Sequence, residues 1–175
     1  MIDVKRDANK SLAAFANFVK PALQIAFGAK KILPTERHEN ELETELDRNA
    51  GIDGVVVTSD GSPFAYASRV QFGKNYESFS IRRSRPNGTP TEWQKLKNPL
   101  SMKPAFHIHS FVADNEKSAI VGIVQTADLI RYIRQNPHQW RTAPSGETFF
   151  VVPFDDVGAK VYCVVAGLVA KKITA

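Results

Sequence analysis

The chain has 175 residues, of which 43% are hydrophobic and 23% charged, as is typical of a folded soluble protein with one sizeable core. No apolar run approaches the roughly 20 residues of a membrane-spanning helix, which excludes a membrane partner of that kind. The first ten residues carry no apolar core behind a basic end, so they predict no secretory signal. The one cysteine, Cys163, excludes an intramolecular disulfide, and we therefore expect a cytoplasmic protein.

The net charge of +5 is unevenly distributed along the chain. Residues 36–47 hold six acids against one base, a net charge of −5, so the rest of the chain carries +10. A basic body with one acidic face favours binding of a polyanion with a cation beside it. The alternative is that these acids form only the solvated side of a helix.

The first 50 residues predict two helices. Residues 11–33 carry apolar side chains at helical spacing, and Pro21 should kink or split this segment before Gly28 stops it. The segment from Pro34 to Asn49 is rich in Glu and Leu, which are good helix formers, and Gly51 should end it.

The pattern then changes to that of strands. Three segments predict a three-stranded meander: 51–59, 62–73 and 76–85. The later elements are a short helix capped by Thr89, strands at 105–113 and 118–125, a helix from 126 to 136, and strands at 147–154 and 160–168. We predict one α/β (α+β) domain over residues 1–175, with a mixed sheet flanked by helices. The strands from Glu147 onward either complete the sheet or form a homodimer interface.

Asp53 stands at the mouth of the first strongly apolar run, where the chain enters a buried strand. A carboxylate there is costly unless it is paired or bound to a metal. Upstream, Glu43 and Asp47 lie one helical turn apart, and Arg69 and Gln71 point the same way on the next strand. Oxygen ligands of this kind suit Mg²⁺ or Mn²⁺ beside a phosphate. The alternative is that Asp53 turns the chain and pairs with Arg69.

Two stretches, LDRNAGIDG at 46–54 and YASRVQF at 66–72, lie on a helix, a strand and its hairpin partner. This arrangement resembles the core of the PD-(D/E)XK nuclease superfamily over roughly residues 39–100. The resemblance implies a restriction-endonuclease-like core and Mg²⁺-dependent cleavage of DNA. It implies that Asp53 binds the metal together with Glu43 or Asp47, and the sequence does not decide between these two acids. Gln71 would orient the attacking water, and Arg69 would stabilise charge on the phosphoryl oxygens.

The second strand departs from the pattern of that superfamily. The superfamily carries Asp or Glu, any residue and then Lys, where this chain has Arg69, Val70 and Gln71, or Ser68-Arg69 in another register. Loss of this carboxylate weakens metal binding. The sequence therefore also admits a module that kept the fold, lost catalysis and binds DNA or a protein partner. The small size favours association with a phage or another mobile element.

Basic residues near the end of the third strand suggest contacts with DNA. Arg82, Arg83 and Arg85 lie at that end, and Lys95 and Lys97 follow on the next helix. Together with the N-terminus of the helix they predict a phosphate contact surface. The alternative is that they are ordinary surface cations.

His107 and His109 occupy alternate positions of one predicted strand and so share a face. A His-x-His pair can supply two ligands of a Zn²⁺ site. No third ligand is obvious close by in the sequence, so we expect two exposed histidines. A zinc hydrolase remains the alternative.

Overall fold

The computed structural model describes residues 4–35, 41–84, 86, 88, 90–99, 102–137, 139–166 and 171–173. The α-helices are α1 (Val4–Ala14), α2 (Lys20–Phe27), α3 (Glu41–Glu45), α4 (Glu92–Lys97) and α5 (Thr126–Gln135). The strands are β1 (Ala29–Pro34), β2 (Gly54–Thr58), β3 (Pro63–Phe72), β4 (Ser78–Ser84), β5 (Phe106–Val112), β6 (Ser118–Gln125), β7 (Arg141–Thr142), β8 (Thr148–Pro153), β9 (Lys160–Val165) and β10 (Lys171–Ile173). Two π-helical segments, Phe15–Val19 and Leu46–Ala50, follow α1 and α3, and a 3₁₀ turn covers Asp155–Val157.

The described strands form two sheets. The first sheet has the order β1-β2-β3-β5-β6-β9-β10, and the second has the order β4-β8-β7. All pairs are antiparallel except β3 and β5, which run parallel. The predicted α/β class with a mixed sheet and helices is therefore confirmed.

Each face of the first sheet packs on its own core. On one face, Phe18 and Leu23 of the helical N-terminal region pack against Tyr66, Val121 and other buried residues of the sheet. On the opposite face a second core joins the two sheets to α4 and α5, and its buried members include Phe79, Leu96, Phe111, Leu129 and Phe150. Burial of apolar surface on both faces explains why the strands carry long apolar runs rather than a simple alternation.

The alternation of β3 sends its residues to opposite cores. Tyr66 and Val70 contact the helix-facing core, so Arg69, at an odd position between them, faces the second sheet. In β5 the same rule places Ile108 in the helix-facing core, while His109 lies directly beside Arg69 in the parallel register. Polar residues of two adjacent strands thus converge on the side where the sheets meet.

The prediction of a three-stranded meander is wrong. The segments at 51–59 and 62–73 do form the hairpin β2–β3, and its turn is closed by a hydrogen bond from Gly61 N to Thr58 O. The other edge of β3 pairs with β5, so β4 cannot pair there and joins β8 in the second sheet. Parallel pairing across a long connection leaves no local signal in the sequence. Because β8 pairs with β4 in the second sheet, it does not extend the first sheet, whereas β9 pairs with β6 and does.

The prediction for the N-terminal third is correct in part. Gly28 does end α2 in the left-handed conformation, with φ of 59°, but the residues after it form the edge strand β1 rather than more helix. The helix predicted from Pro34 to Asn49 is confirmed over its second half, where α3 and the π-helical segment run from residue 41 to residue 50 and end at Gly51 with φ of 65°. Its predicted start is wrong, because Pro34 pairs with Gly54 as the last residue of β1. Residues 36–40 lie outside the described residues.

Thr89, which the sequence predicts as the cap of the short helix, also lies outside the described residues. The observed cap of α4 is Thr91, which forms a capping box with Gln94.

Candidate functional site

A cleft of about 320 Å³ opens where β3 and β5 of the first sheet face β4 and α4. We call it the central cleft. Its walls combine the π-helical turn after α3 with residues of these four elements. Its charged lining residues are Asp47, Arg48, Asp53, Arg69, Arg82, Glu92, Lys95 and Lys103, and its floor includes His107 and His109.

Asp53 is fixed by three hydrogen bonds at the point where β2 begins. Its backbone N donates to Tyr66 O at 2.9 Å, and its carbonyl accepts from Thr35 N at 3.0 Å. Its carboxylate Oδ2 accepts from the backbone N of Ser68 at 2.6 Å. The side chain thus accepts a hydrogen bond from a backbone amide of β3 that lies beyond the last β2–β3 pair. This hydrogen bond explains how a carboxylate is tolerated beside the apolar run.

Asp47 lies in the π-helical segment Leu46–Ala50, which directly follows α3. A π turn holds more residues than an α turn, and we call this segment the widened turn. Asp47 lines the central cleft, whereas Glu43 is not among its lining residues. The structure thereby favours Asp47 over Glu43 as the helix acid near Asp53.

Lys95 extends from α4 across Gly51 into the cleft. Gly51 has φ of 65°, and a Cβ there would lie 3.0 Å from the Lys95 Cδ, so glycine leaves the path open for this side chain. The Lys95 ammonium donates to the backbone carbonyl of Asp47 at 2.9 Å. A cation therefore stands at the carboxyl end of the widened turn, where it is favoured by the helix dipole.

Arg69 lines the cleft, but Gln71 does not. The Nη1 of Arg69 lies 3.5 Å from the carbonyl of Ser80, a long contact that leans the side chain toward β4. Gln71 lies two residues farther along β3, opposite Phe111 rather than beside the histidines. Both side chains point the same way, as alternation requires, but only Arg69 is close enough to the cleft to line it.

The predicted basic surface is divided between two places. Arg82 and Lys95 line the cleft, and Arg82 also lies 3.4 Å from Glu147 Oε1 in an ion pair. Arg83 instead lies over the ring of Trp140 and Lys97 over that of Trp93, each at 4.8 Å from the ring centroid. Arg85 lies outside the described residues. The four described cations thus do not form one patch, because α4 turns Lys95 and Lys97 to different sides.

The two histidines are not exposed, so that expectation is wrong. His109 is only 2% exposed, and His107 is half-buried with Nδ1 at 2.9 Å from the Thr126 hydroxyl. Burial lowers the pKa of His107 to about 4, which the nearby charge of Glu92 partly opposes. Burial, followed by the charge of Arg69, lowers the pKa of His109 to about 3. Both rings are therefore neutral near pH 7.

Five of the ionisable cleft residues were not predicted from the sequence to belong with Asp53 and Arg69: Arg48, Glu92, Lys103, His107 and His109. The spacing of the histidines does reveal that they share one strand face. It does not reveal that this face lies beside Arg69, because that follows from the parallel pairing of β3 with β5. Glu92 and Lys103 reach the cleft only through the packing of α4 and the segment after it.

None of the described helices combines the length and apolar character needed to cross a bilayer.

The described residues contain no group of three or more His, Cys, Asp or Glu side chains that could hold a metal ion. A metal held by Asp47 and Asp53 would therefore have no third ligand of these types from the described residues, and it would need further ligands from water or substrate.

Comparisons of the chain with models of protein families, with curated proteins and with solved structures gave no match. The resemblance to the PD-(D/E)XK superfamily thus stays a prediction from the motif at 46–54 and 66–72.

Proposed function

We propose that the chain binds a phosphodiester group of nucleic acid, with DNA as the expected form, in the central cleft. We further propose that Asp47 and Asp53 hold a Mg²⁺ there and that the bound phosphodiester is hydrolysed. The observation that carries both steps is the meeting of Asp47, Asp53, Arg69 and Lys95 in one cleft, although they come from four separate segments.

The balance of charge in the cleft supports binding of an anion. Five lining residues are cationic (Arg48, Arg69, Arg82, Lys95 and Lys103) and three are acidic (Asp47, Asp53 and Glu92). The histidines add no charge, since burial lowers their pKa values well below 7. A concave site with an excess of positive charge concentrates the local field and attracts phosphates. The net charge of +5 on the whole chain acts in the same direction.

The donor set of the cleft fits Mg²⁺ in a limited way. This ion commonly takes one or two protein carboxylates and fills its octahedron with waters and substrate phosphates. Asp47 and Asp53 supply that minimum. When bound, Mg²⁺ would act as a Lewis acid toward the phosphoryl oxygens and lower the pKa of water. Its affinity should depend strongly on the phosphate, because the protein alone provides few ligands.

The cations of the cleft have distinct tasks in this proposal. Lys95, held over the widened turn, binds and orients a phosphate oxygen as a point charge. Arg69 offers a planar set of donors to the same group and stabilises the charge that develops on its oxygens. Gln71 is not assigned the orienting task that the motif suggests, because it lies outside the cleft lining.

A second candidate is a module that binds nucleic acid without cutting it. Two observations favour it: the Oδ2 of Asp53 already accepts a hydrogen bond from Ser68, and the described residues supply no cluster of three potential metal ligands. In this case the carboxylate would chiefly hold β3 in place, and the cations alone would bind the strand.

An incubation of supercoiled plasmid with Mg²⁺ distinguishes the two candidates. The hydrolytic proposal predicts nicked or linear product with the parent protein and its loss with Asp47→Asn and Asp53→Asn. The matched control is Glu43→Gln, an acid one turn away that does not line the cleft, and it should cut like the parent. Plasmid binding without cutting would favour the binding module, and absence of both activities would contradict the proposed function.

A further inference from the structure

Three buried polar atoms in the lining of the central cleft lack a hydrogen-bond partner among the described residues: Arg82 Nε, Glu92 Oε2 and His109 Nε2. Nearly all buried polar atoms of folded proteins are satisfied, so three unsatisfied atoms in one cleft require an explanation. The nearest oxygen of Glu92, Oε1, lies 3.7 Å from Arg82 Nε, which is an ion pair but too long for a hydrogen bond.

The tautomer of His109 follows from its surroundings. A hydrogen bond with the backbone of Ser78 favours the proton-bearing form of the ring, so the ring donates to that backbone. Because Nε2 has no partner among the described residues, the donating atom is Nδ1. In the neutral ring Nε2 then carries a lone pair and acts as an acceptor. The three unsatisfied atoms therefore comprise one donor, Arg82 Nε, and two acceptors.

The lining carries its excess of positive charge in its outer part. Arg48 is exposed, and Lys95, Lys103 and Arg69 are half-buried. Farther in, the charge of Arg82 is balanced by that of Glu92, and His109 and Phe79 are buried and uncharged. The His109 ring lies near two aromatic rings, with its centroid 4.7 Å from that of Phe111 and 6.3 Å from that of Phe79. A ligand with an anionic outer end and a flat, uncharged, hydrogen-bonding inner end matches this gradient, and a nucleotide has both parts.

We propose that the inner part of the central cleft is a guanine subsite that takes one unpaired nucleotide. The Watson–Crick edge of guanine offers two donors, N1–H and the N2 amino group, and one acceptor, O6. This edge complements the two acceptors and one donor of the cleft. Cytosine and thymine each offer two acceptors and one donor, and adenine offers one of each. The proposal rests on the phosphate binding proposed above, since the outer cations would hold the attached phosphate.

The volume of the cleft and the positions of the Arg82 and Glu92 side chains determine which ligand can reach the three atoms. A volume of about 320 Å³ is near the lower limit for small-molecule pockets, which suits one nucleotide and excludes a paired base inside a duplex. The three atoms are closed to solvent, so a base reaches them only when the side chains of Arg82 and Glu92 turn aside. These side chains are 20% and 28% exposed, and the long contact between them is weak. We therefore expect the base to separate this pair.

The test uses short fluorescent DNA strands in which every base is thymine except one variable base at the centre. Their binding to the protein is measured by fluorescence anisotropy in the absence of divalent metal. A guanine should bind about tenfold or more tightly than a thymine, and hypoxanthine, which lacks only the N2 amino group, should lie between them. Guanine paired in a duplex should confer no such gain. Competition with guanosine 5′-monophosphate or adenosine 5′-monophosphate distinguishes the two sources of the base. If only the guanosine nucleotide displaces the labelled strand, a free nucleotide is a sufficient ligand. If the protein prefers guanine in a strand but neither nucleotide displaces that strand, the ligand is a strand.

Variants separate base recognition from folding. Glu92→Gln replaces one acceptor by a donor and should abolish most of the guanine preference. The matched control is Glu147→Gln, which removes the other ion pair of Arg82 but does not line the cleft, and it should retain the preference. Equal binding of all strands by the parent protein would overturn the guanine subsite and leave phosphate binding intact. No binding of any strand would contradict the proposed function as well.

Discussion

The carboxylate of Asp53 and the backbone amide of Ser68 are joined by a hydrogen bond of 2.6 Å across the start of the β2–β3 hairpin. This bond ties the acid that lines the cleft to the strand that carries Arg69. Asp53 thus holds the hairpin in register and presents charge to the cleft. The two contributions can be separated by substitution, because the hydrogen bond needs an acceptor oxygen and the metal site needs a negative charge.

The stability of Asp53 variants should differ in a defined order. Asp53→Asn keeps an oxygen that can accept from Ser68, so its free energy of unfolding should stay within about 1 kcal/mol of the parent value. Asp53→Ala leaves that amide without its partner and should lose about 1–3 kcal/mol. Urea denaturation measures both values. Equal losses in the two variants would show that the hydrogen bond does not hold the hairpin.

Acid should destabilise the fold through the buried histidines. The unfolded chain takes up protons below pH 6.5, whereas the folded chain keeps His107 and His109 neutral down to about pH 4 and about pH 3. Their contribution is therefore complete above pH 6.5 and is lost as the pH falls toward these values. His109→Asn, which does not titrate, should reduce the slope of stability against pH by about 1.4 kcal/mol per pH unit between pH 4 and 6. An unchanged slope in denaturation curves would mean that His109 is solvated.

Metal and strand should bind cooperatively. Because no third His, Cys, Asp or Glu of the described residues groups with Asp47 and Asp53, titration with Mn²⁺ or Mg²⁺ alone should give weak binding, in the millimolar range or above. Addition of a phosphorothioate oligonucleotide that resists cleavage should tighten metal binding at least tenfold, and by linkage the metal should tighten binding of the strand equally. Calorimetry measures both affinities. Tight metal binding without a strand would indicate protein ligands that the described residues do not include.

The packing of the second core against the first sheet depends on Gly122. This residue pairs with His109, and a Cβ at its position would lie 2.3 Å from the Phe154 ring. Gly122→Ala should therefore destabilise the fold by about 1–3 kcal/mol through overpacking. Combination with Phe154→Leu should give a loss smaller than the sum of the single losses, because the smaller side chain relieves the clash. Additive losses would contradict this packing.

The sequence was sufficient for elements that depend on local pattern. The hairpin at Asp60–Gly61, the helix α5 and the left-handed end of α2 at Gly28 each have a local signal, and the structure has all three. The sequence was insufficient where a strand pairs with one that is distant along the chain. No residue near β4 indicates that β4 does not pair with β3, because this depends on the pairing of β5 with the free edge of β3. Helical spacing also led to a wrong prediction for β1, which is a strand because it pairs with β2.

The same distinction applies to the cleft. The motif at Asp53 and Arg69 identified two of its residues, because their spacing fits a strand and its hairpin partner. The sequence left Glu43 and Asp47 as alternatives, and of these two only Asp47 lines the cleft. The histidines were wrongly expected to be exposed, because burial depends on the second sheet that covers them.

The most direct test of phosphate binding in the central cleft compares Lys95→Met with Lys97→Met. Both residues lie on α4 and both substitutions keep an apolar stem, but only Lys95 lines the cleft. Anisotropy of a labelled DNA strand, measured across a series of salt concentrations, gives the affinity and its salt dependence. We predict that Lys95→Met lowers the affinity about tenfold and reduces the slope of log K against log salt by about 0.7–0.9, while Lys97→Met changes neither. Equal effects of the two substitutions, or none with Lys95→Met, would contradict the account.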